Sequence, residues 1–154
     1  SLFASAILEG RPIDVFNHGK MRRDFTYIDD ITEGVVRVLD KIPEPDPQFD
    51  RTNPNPATSD APYRLYNIGN NEPVELMTFI ETLENVIGKK AQKNMLPMQP
   101  GDVEVTYAEI ETLADQTDFK PRTSLTAGLR SFVDWYQPYG ARSLEAATFR
   151  PAAI

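Results

Sequence analysis

The chain has no cysteine, one histidine and eight glycines among its 154 residues. Without thiols there are no disulfides and no thiolate metal sites, and the composition fits a reducing cytoplasm. The single imidazole, His18, removes histidine-built metal centres as well. No glycines stand in the G-x-G-x-x-G spacing that brings a helix N-terminus against a pyrophosphate. None of the six tyrosines is followed four residues later by lysine. Catalytic, cofactor-binding and metal-binding residues are therefore assigned nowhere in the chain, and any redox cofactor with its proton-transfer groups must come from elsewhere. No apolar run approaches the roughly 18 residues that a bilayer span needs. Residues 1–10 lack the basic start and small-residue cleavage site of a secretory leader. The net charge of −7 argues against a general nucleic-acid binder.

What is present reads as a mixed α/β chain with about four or five helices and three or four short strands. Residues 1–8 look like the tail of a helix stopped by Gly10 and Pro12, with a strand at Ile13, Val15 and Phe16 and a turn at Asn17-His18-Gly19. Phe25 to Ile28 is aromatic and branched, hence extended, and Asp29 or Asp30 is placed to cap a helix, with Glu33 at capping-box spacing. Ile31, Val35, Val38, Leu39 and Ile42 then mark one buried helix face. Six of the 13 prolines fall in 43–62, which reads as an inserted loop. Arg64 to Ile68 reads as a strand closed by Gly69, and a helix with apolar positions Leu76, Phe79, Ile80, Leu83 and Ile87 ends at Gly88. A short strand within 89–98, a turn at Pro100-Gly101-Asp102 and a short helix over 112–118 follow. Leu125, Leu129, Phe132, Val133 and Tyr136 line the last helix, with Thr123 or Ser124 as its cap. Residues 1–139 thus form one region, and 140–154, which has no apolar period, is expected to be a flexible tail.

Several residues could carry chemistry. Lys20, Arg22 and Arg23 set three positive charges after a glycine turn in an acidic chain, and the planar guanidinium suits phosphate oxygens; a solvated charged loop is the plainer reading. Gln99, Asp102 and Thr106 flank a Pro-Gly turn that could face a ligand, or Asp102 could simply cap its own backbone. Phe16, Phe25 and Tyr27 could wall a base or belong to a core. His18 reads as a turn residue, and Asp29 and Asp30 as caps rather than an acid–base pair.

Three strings narrow the choice: Gly10-Arg-Pro-Ile-Asp-Val-Phe-Asn-His-Gly-Lys-Met-Arg-Arg-Asp-Phe-Thr-Tyr-Ile-Asp-Asp-Ile31, Ala61-Pro-Tyr-Arg-Leu-Tyr-Asn-Ile-Gly-Asn-Asn-Glu-Pro-Val-Glu-Leu-Met77, and Gln99-Pro-Gly-Asp102 leading to Thr106-Tyr107-Ala108. Over roughly 2–139 the chain resembles the C-terminal region of bacterial UDP-glucuronate 4-epimerases, extended short-chain dehydrogenases/reductases. The resemblance implies a substrate-binding lobe without the N-terminal Rossmann core. That missing lobe would bind NAD and carry a Tyr-x-x-x-Lys pair, so the chain alone would bind no NAD and be inactive. In the implied reaction the sugar C4 hydroxyl is oxidised, the keto sugar turns and hydride returns to its other face. The resemblance places Arg23 on the diphosphate, Phe16 against the uracil, and Gln99 and Asp102 in the loop over diphosphate and ribose, with Phe25 a further candidate. Related UDP-glucose epimerases carry arginine where Gln99 stands.

A UDP-sugar and the N-terminal lobe are thus the expected partners, with neither nucleic acid nor membrane among them. Sister enzymes stay open: UDP-glucose 4-epimerase, UDP-glucuronate decarboxylase or a sugar-nucleotide 4,6-dehydratase. So does a non-catalytic binding module. A strand at 65–68, left without the cofactor lobe, would expose an edge and favour a homodimer or an otherwise rearranged strand.

Overall fold

The computed structural model describes the backbone from Leu2 to Thr148 and side chains as far as Tyr139. In chain order its elements are α1 (Leu2–Glu9), β1 (Ile13–Val15), a 3-10 turn (Phe16–Gly19), β2 (Arg22–Arg23), α2 (Ile28–Val38), β3 (Val74–Glu75), α3 (Leu76–Ile87), β4 (Lys93–Met95), α4 (Glu111–Thr117) and α5 (Leu125–Thr148). Where the sequence reads as one region, the chain divides into two compact units. The first gathers Ser1–Met21, Glu75–Glu104 and the chain from Ser124 onward, and the second Arg22–Val74 and Val105–Thr123. Among the described residues no helix is long and apolar enough to cross a membrane.

The first unit follows its apolar spacing. Ala4, Ala6 and Ile7 of α1, Ile13 and Val15 of β1, Ile80 and Leu83 of α3, and Leu129 and Val133 of α5 form one buried cluster. Full burial of a side chain such as Ile80 or Leu83 contributes about 1.5–3 kcal/mol. The expected ends are also found. Gly10 and Gly88 adopt φ of 74° and 78°, and Gly88 donates its N–H to the Glu84 carbonyl at 2.8 Å. Ser124 caps α5 by accepting the Ala127 N–H on Oγ at 3.3 Å. β1 and β4 pair in parallel, with Ile13 opposite Lys93, Asp14 opposite Asn94 and Val15 opposite Met95. The backbone of α5 stays helical to Thr148, past the last apolar position that marks it, while residues 149–154 of the expected flexible tail lie outside the described residues.

One charge is buried in this unit. Glu84, 2% exposed, receives Lys90 Nζ at 2.8 Å, Lys93 Nζ, and the Ala91 N–H at 3.1 Å. Burial pushes its carboxyl pKa up, but these donors outweigh burial and hold it at about 2. The side chain thereby fastens the turn after α3 to the helix itself.

The second unit departs from its apolar spacing. Val35, Leu39 and Ile42 are 48%, 74% and 86% exposed while Ile31 and Val38 are half-buried, so the expected buried face forms only in part. The face that turns inward carries Asp30 and Gly34 as well. A Cβ on Gly34 would lie 3.2 Å from Phe119 Cε1 and 3.3 Å from Ile68 Cδ1, so a small residue sets this packing. Neither Asp29 nor Asp30 caps α2, which begins at Ile28 after an extended Tyr27 without a side-chain cap. Asp30 accepts the N–H groups of Arg122 (3.2 Å) and Thr123 (3.1 Å). Glu33 pairs with Arg37 at 2.6 Å, and Arg37 also donates to the Thr117 and Asp118 carbonyls at 3.2 and 3.1 Å.

The proline-rich segment 43–62 is a loop, as expected, built from side-chain turns. Asp46 accepts the Gln48 N–H at 2.9 Å, Asp50 the Thr52 N–H at 2.8 Å and Asn55 the Ala57 N–H at 3.0 Å. The strand expected over Arg64–Ile68 does not form. Arg64 makes one antiparallel bridge to Thr58, and Leu65 donates to the Ala57 carbonyl at 3.0 Å.

Candidate functional site

In the first unit, two loops leave the carboxyl ends of the adjacent parallel strands β1 and β4, the place where open α/β sheets present ligand-binding loops. After Val15 the chain tightens at once into the 3-10 turn, with Asn17 and His18 both at φ 49°. Asn17 Nδ2 donates to the Lys20 carbonyl at 2.9 Å and holds that turn closed. His18 N–H donates to the Leu96 carbonyl at 2.9 Å, and Leu96 N–H to the Val15 carbonyl at 3.0 Å, so the two loops start in register. Half-buried Phe16 opens the first loop.

The second loop turns at Gln99–Asp102, where Gly101 has φ 84° and Asp102 N–H donates to the Gln99 carbonyl at 3.2 Å. Asp102 Oδ1 accepts the Val103 N–H at 2.9 Å, the backbone-capping role that its sequence position suggests. Gln99 is exposed and Asp102 half-buried. His18 is an exposed turn residue, as expected.

Arg23 and Phe25, both half-buried, belong to the second unit. Arg22 Nη2 donates to the Pro73 carbonyl at 3.0 Å, and Arg23 Nη1 to the Arg22 carbonyl at 2.9 Å. Of the three clustered cations, Lys20 lies in the first unit and the two arginines in the second.

Between the arginines and Phe25 stands Asp24, which sequence reasoning passed over. Its backbone N–H donates to the Thr106 carbonyl at 3.1 Å, and Thr106 N–H donates to the Arg22 carbonyl at 3.2 Å. Its carboxylate accepts four backbone N–H groups: Asn70 at 3.2 Å, Asn71 at 3.0 Å, Glu72 at 3.5 Å and Ala108 at 3.2 Å. Gly69 lets these strands of chain close together. A Cβ there would overlap the Ala108 Cβ and approach Asp24 Oδ2 within 2.7 Å. The only hint in the sequence was an acid directly after two arginines, since the donors to it lie far along the chain.

A cleft of about 300 Å³ opens beside this junction, lined by Asp24, Thr26, Asn67, Gly69, Thr106 and Tyr107 among others. None of Phe16, Arg23, Phe25, Gln99 or Asp102 lines it. Thr106, singled out with Gln99 and Asp102, lines this cleft in the second unit, whereas the Gln99–Asp102 turn belongs to the first.

This mixed α/β fold matches that of extended epimerase/dehydratase enzymes, and residues 1–69 match the NAD dependent epimerase/dehydratase family. The chain is 48% identical over 138 residues to a probable UDP-glucuronate 4-epimerase of Rhizobium meliloti, covering 87% of this chain and 40% of that protein. It is 50% identical over 137 residues to Protein CapI of Staphylococcus aureus, covering 89% and 41%. Among solved structures it resembles a UDP-glucuronic acid 4-epimerase from Bacillus cereus in complex with UDP-glucuronic acid and NAD. That likeness has a TM-score of 0.70 at 29% identity, over 89% of this chain and 38% of the other. The chain thus spans about two-fifths of the length of the relatives it matches.

Proposed function

We propose that this chain is the nucleotide-gripping part of an NAD-dependent UDP-glucuronate 4-epimerase. The observation that carries the proposal is the pair of loops at the carboxyl ends of β1 and β4, which present Phe16, Gln99 and Asp102 in a chain similar to proteins of that name. In this reading Phe16 walls the uracil, and Gln99 and Asp102 meet the diphosphate and ribose. Arg23 supplies charge-assisted hydrogen bonds to the diphosphate, with Phe25 as a further contact. A turnover in which the sugar must rotate needs a firm hold on the nucleotide and a loose one on the sugar, and only the first of these is assigned to these residues.

The chain's own residues do not fit NAD. Among the described residues, the parallel pair β1–β4 is followed by turns that carry no glycine-rich phosphate loop, and the turn after β1 leads to no α-helix. NAD and the hydride step are therefore assigned to the remainder of a longer enzyme. Isothermal titration of the chain with UDP and UDP-glucuronate tests the reading. Saturable binding of both, weakened about tenfold by Arg23→Ala, is expected for loss of one charged hydrogen-bonding partner. Absence of binding, or binding indifferent to Arg23, overturns it. A pentose product from the full-length enzyme would select the decarboxylase among the sister activities.

A further inference from the structure

The carboxylate of Asp24 sits where a bound anion would sit. Asn70, Asn71 and Glu72 turn three successive N–H groups toward it, and Asn71 at φ 54° supplies the left-handed step that curls such a stretch into an anion-holding nest. Ala108 adds a fourth donor from another part of the chain. The nest is thus filled from within, by the residue next to Arg23.

We infer that Asp24 is a positioning residue: by filling this backbone nest it fixes Arg23, which rests on the nucleotide reading above. Arg23 is bracketed on both sides. Thr106 holds the Arg22 carbonyl before it and the Asp24 N–H after it, while the Asp24 side chain fastens 70–72 and Ala108. The backbone on either side of Arg23 is thus tied to a partner distant in sequence. A charged grip on a diphosphate gains from such restraint, because less conformational freedom is lost on binding. Removing the carboxylate strands four N–H donors and loosens the chain packed around the arginine, while the backbone bonds to Thr106 remain.

The test uses the full chain in three forms, wild type, Asp24→Ala and Asp24→Asn, with Glu84→Gln as a destabilised control in the other unit. Amide hydrogen exchange at Asn70, Asn71, Glu72 and Ala108 is expected to quicken in both Asp24 variants and to stay unchanged in Glu84→Gln. UDP affinity is expected to fall about tenfold in Asp24→Ala, as for loss of a charged hydrogen-bonding anchor, and to hold in Glu84→Gln. Added formate, a free carboxylate small enough for the vacated nest, is expected to restore protection and affinity in Asp24→Ala. Unchanged exchange at these amides sinks the nest. Quickened exchange with unaltered UDP affinity sinks the positioning role alone. A wild-type chain that ignores UDP sinks the nucleotide reading and this role with it.

Discussion

The two units of this chain solve the same problem, holding loops still, with different materials. In the first, helices α1, α3 and α5 bury aliphatic side chains around β1, and the buried carboxylate of Glu84 secures the turn after α3. In the second, long irregular segments are stitched by polar groups. Asp24 binds four backbone N–H groups, Asp30 binds two, and Arg37 holds two carbonyls. An apolar cluster is tolerant of sequence but needs regular periodicity to line up. A carboxylate staple needs no periodicity, only the right donors brought within hydrogen-bonding distance, and it leaves a polar surface where a ligand can be met.

The contrast can be broken by substitution. Leu83→Ala removes a fully buried side chain from the first unit and is expected to cost about 3 kcal/mol in denaturant unfolding, through lost burial and the cavity left behind. A cost under about 1 kcal/mol would mean that the helical cluster is not what holds this unit. Gly69→Ala strikes the second unit through geometry alone. The added methyl is forced against Ala108 and Asp24, for a loss of about 2 kcal/mol by overpacking. Its exchange signature is expected at 70–72 and Ala108, with the α3–α5 amides unaffected.

The smallest effect is the most pointed. Glu84 has a carboxyl pKa near 2 when folded against an ordinary value of 4.5, so its charge stabilises the fold fully above that ordinary value. The contribution is lost as pH falls from 4.5 towards about 2, when protonation breaks the contacts to Lys90 and Lys93. Glu84→Gln, expected to cost about 1–2 kcal/mol near neutral pH, should therefore converge on the wild type in acid. Melting curves that stay equally far apart across that window would remove the charge from the account.

Much of the first unit was legible in the sequence. Leu76, Phe79, Ile80, Leu83 and Ile87 recur at helical spacing and all join the core, as do Leu125, Leu129, Phe132, Val133 and Tyr136. The glycine stops and the Ser124 cap were equally plain. The same reasoning held only in part on α2, because Ile31 and Val38 are half-buried while Val35, Leu39 and Ile42, at the same spacing, are exposed. Periodicity reports that a face exists, and not which neighbour reaches it. Gly34 admitted Phe119 and Ile68 on the other side. The strand expected at 65–68 failed for a related reason, since a strand needs a partner and only Arg64 found one, at Thr58.

The candidate site divides the same way. Residue types and local order raised Phe16, Arg23, Phe25, Gln99 and Asp102 only as candidates beside Lys20, Arg22, Tyr27 and Thr106, and the resemblance to a known family is what gave these five a ligand role. That Phe16 and the Gln99–Asp102 turn leave neighbouring parallel strands could come only from the pairing of Val15 with Met95, eighty residues apart. Asp24 is the clearest case. By itself it is one acid among 23 acidic residues, and its role exists only because folding brings Asn70, Asn71, Glu72 and Ala108 to its oxygens. Spacing along the chain marked the helices and the ends of those in the first unit. Which faces are buried and which carboxylate acts as a staple were decided by tertiary contacts, because hydrogen bonds and close packing depend on distance in space, which short-range spacing does not encode.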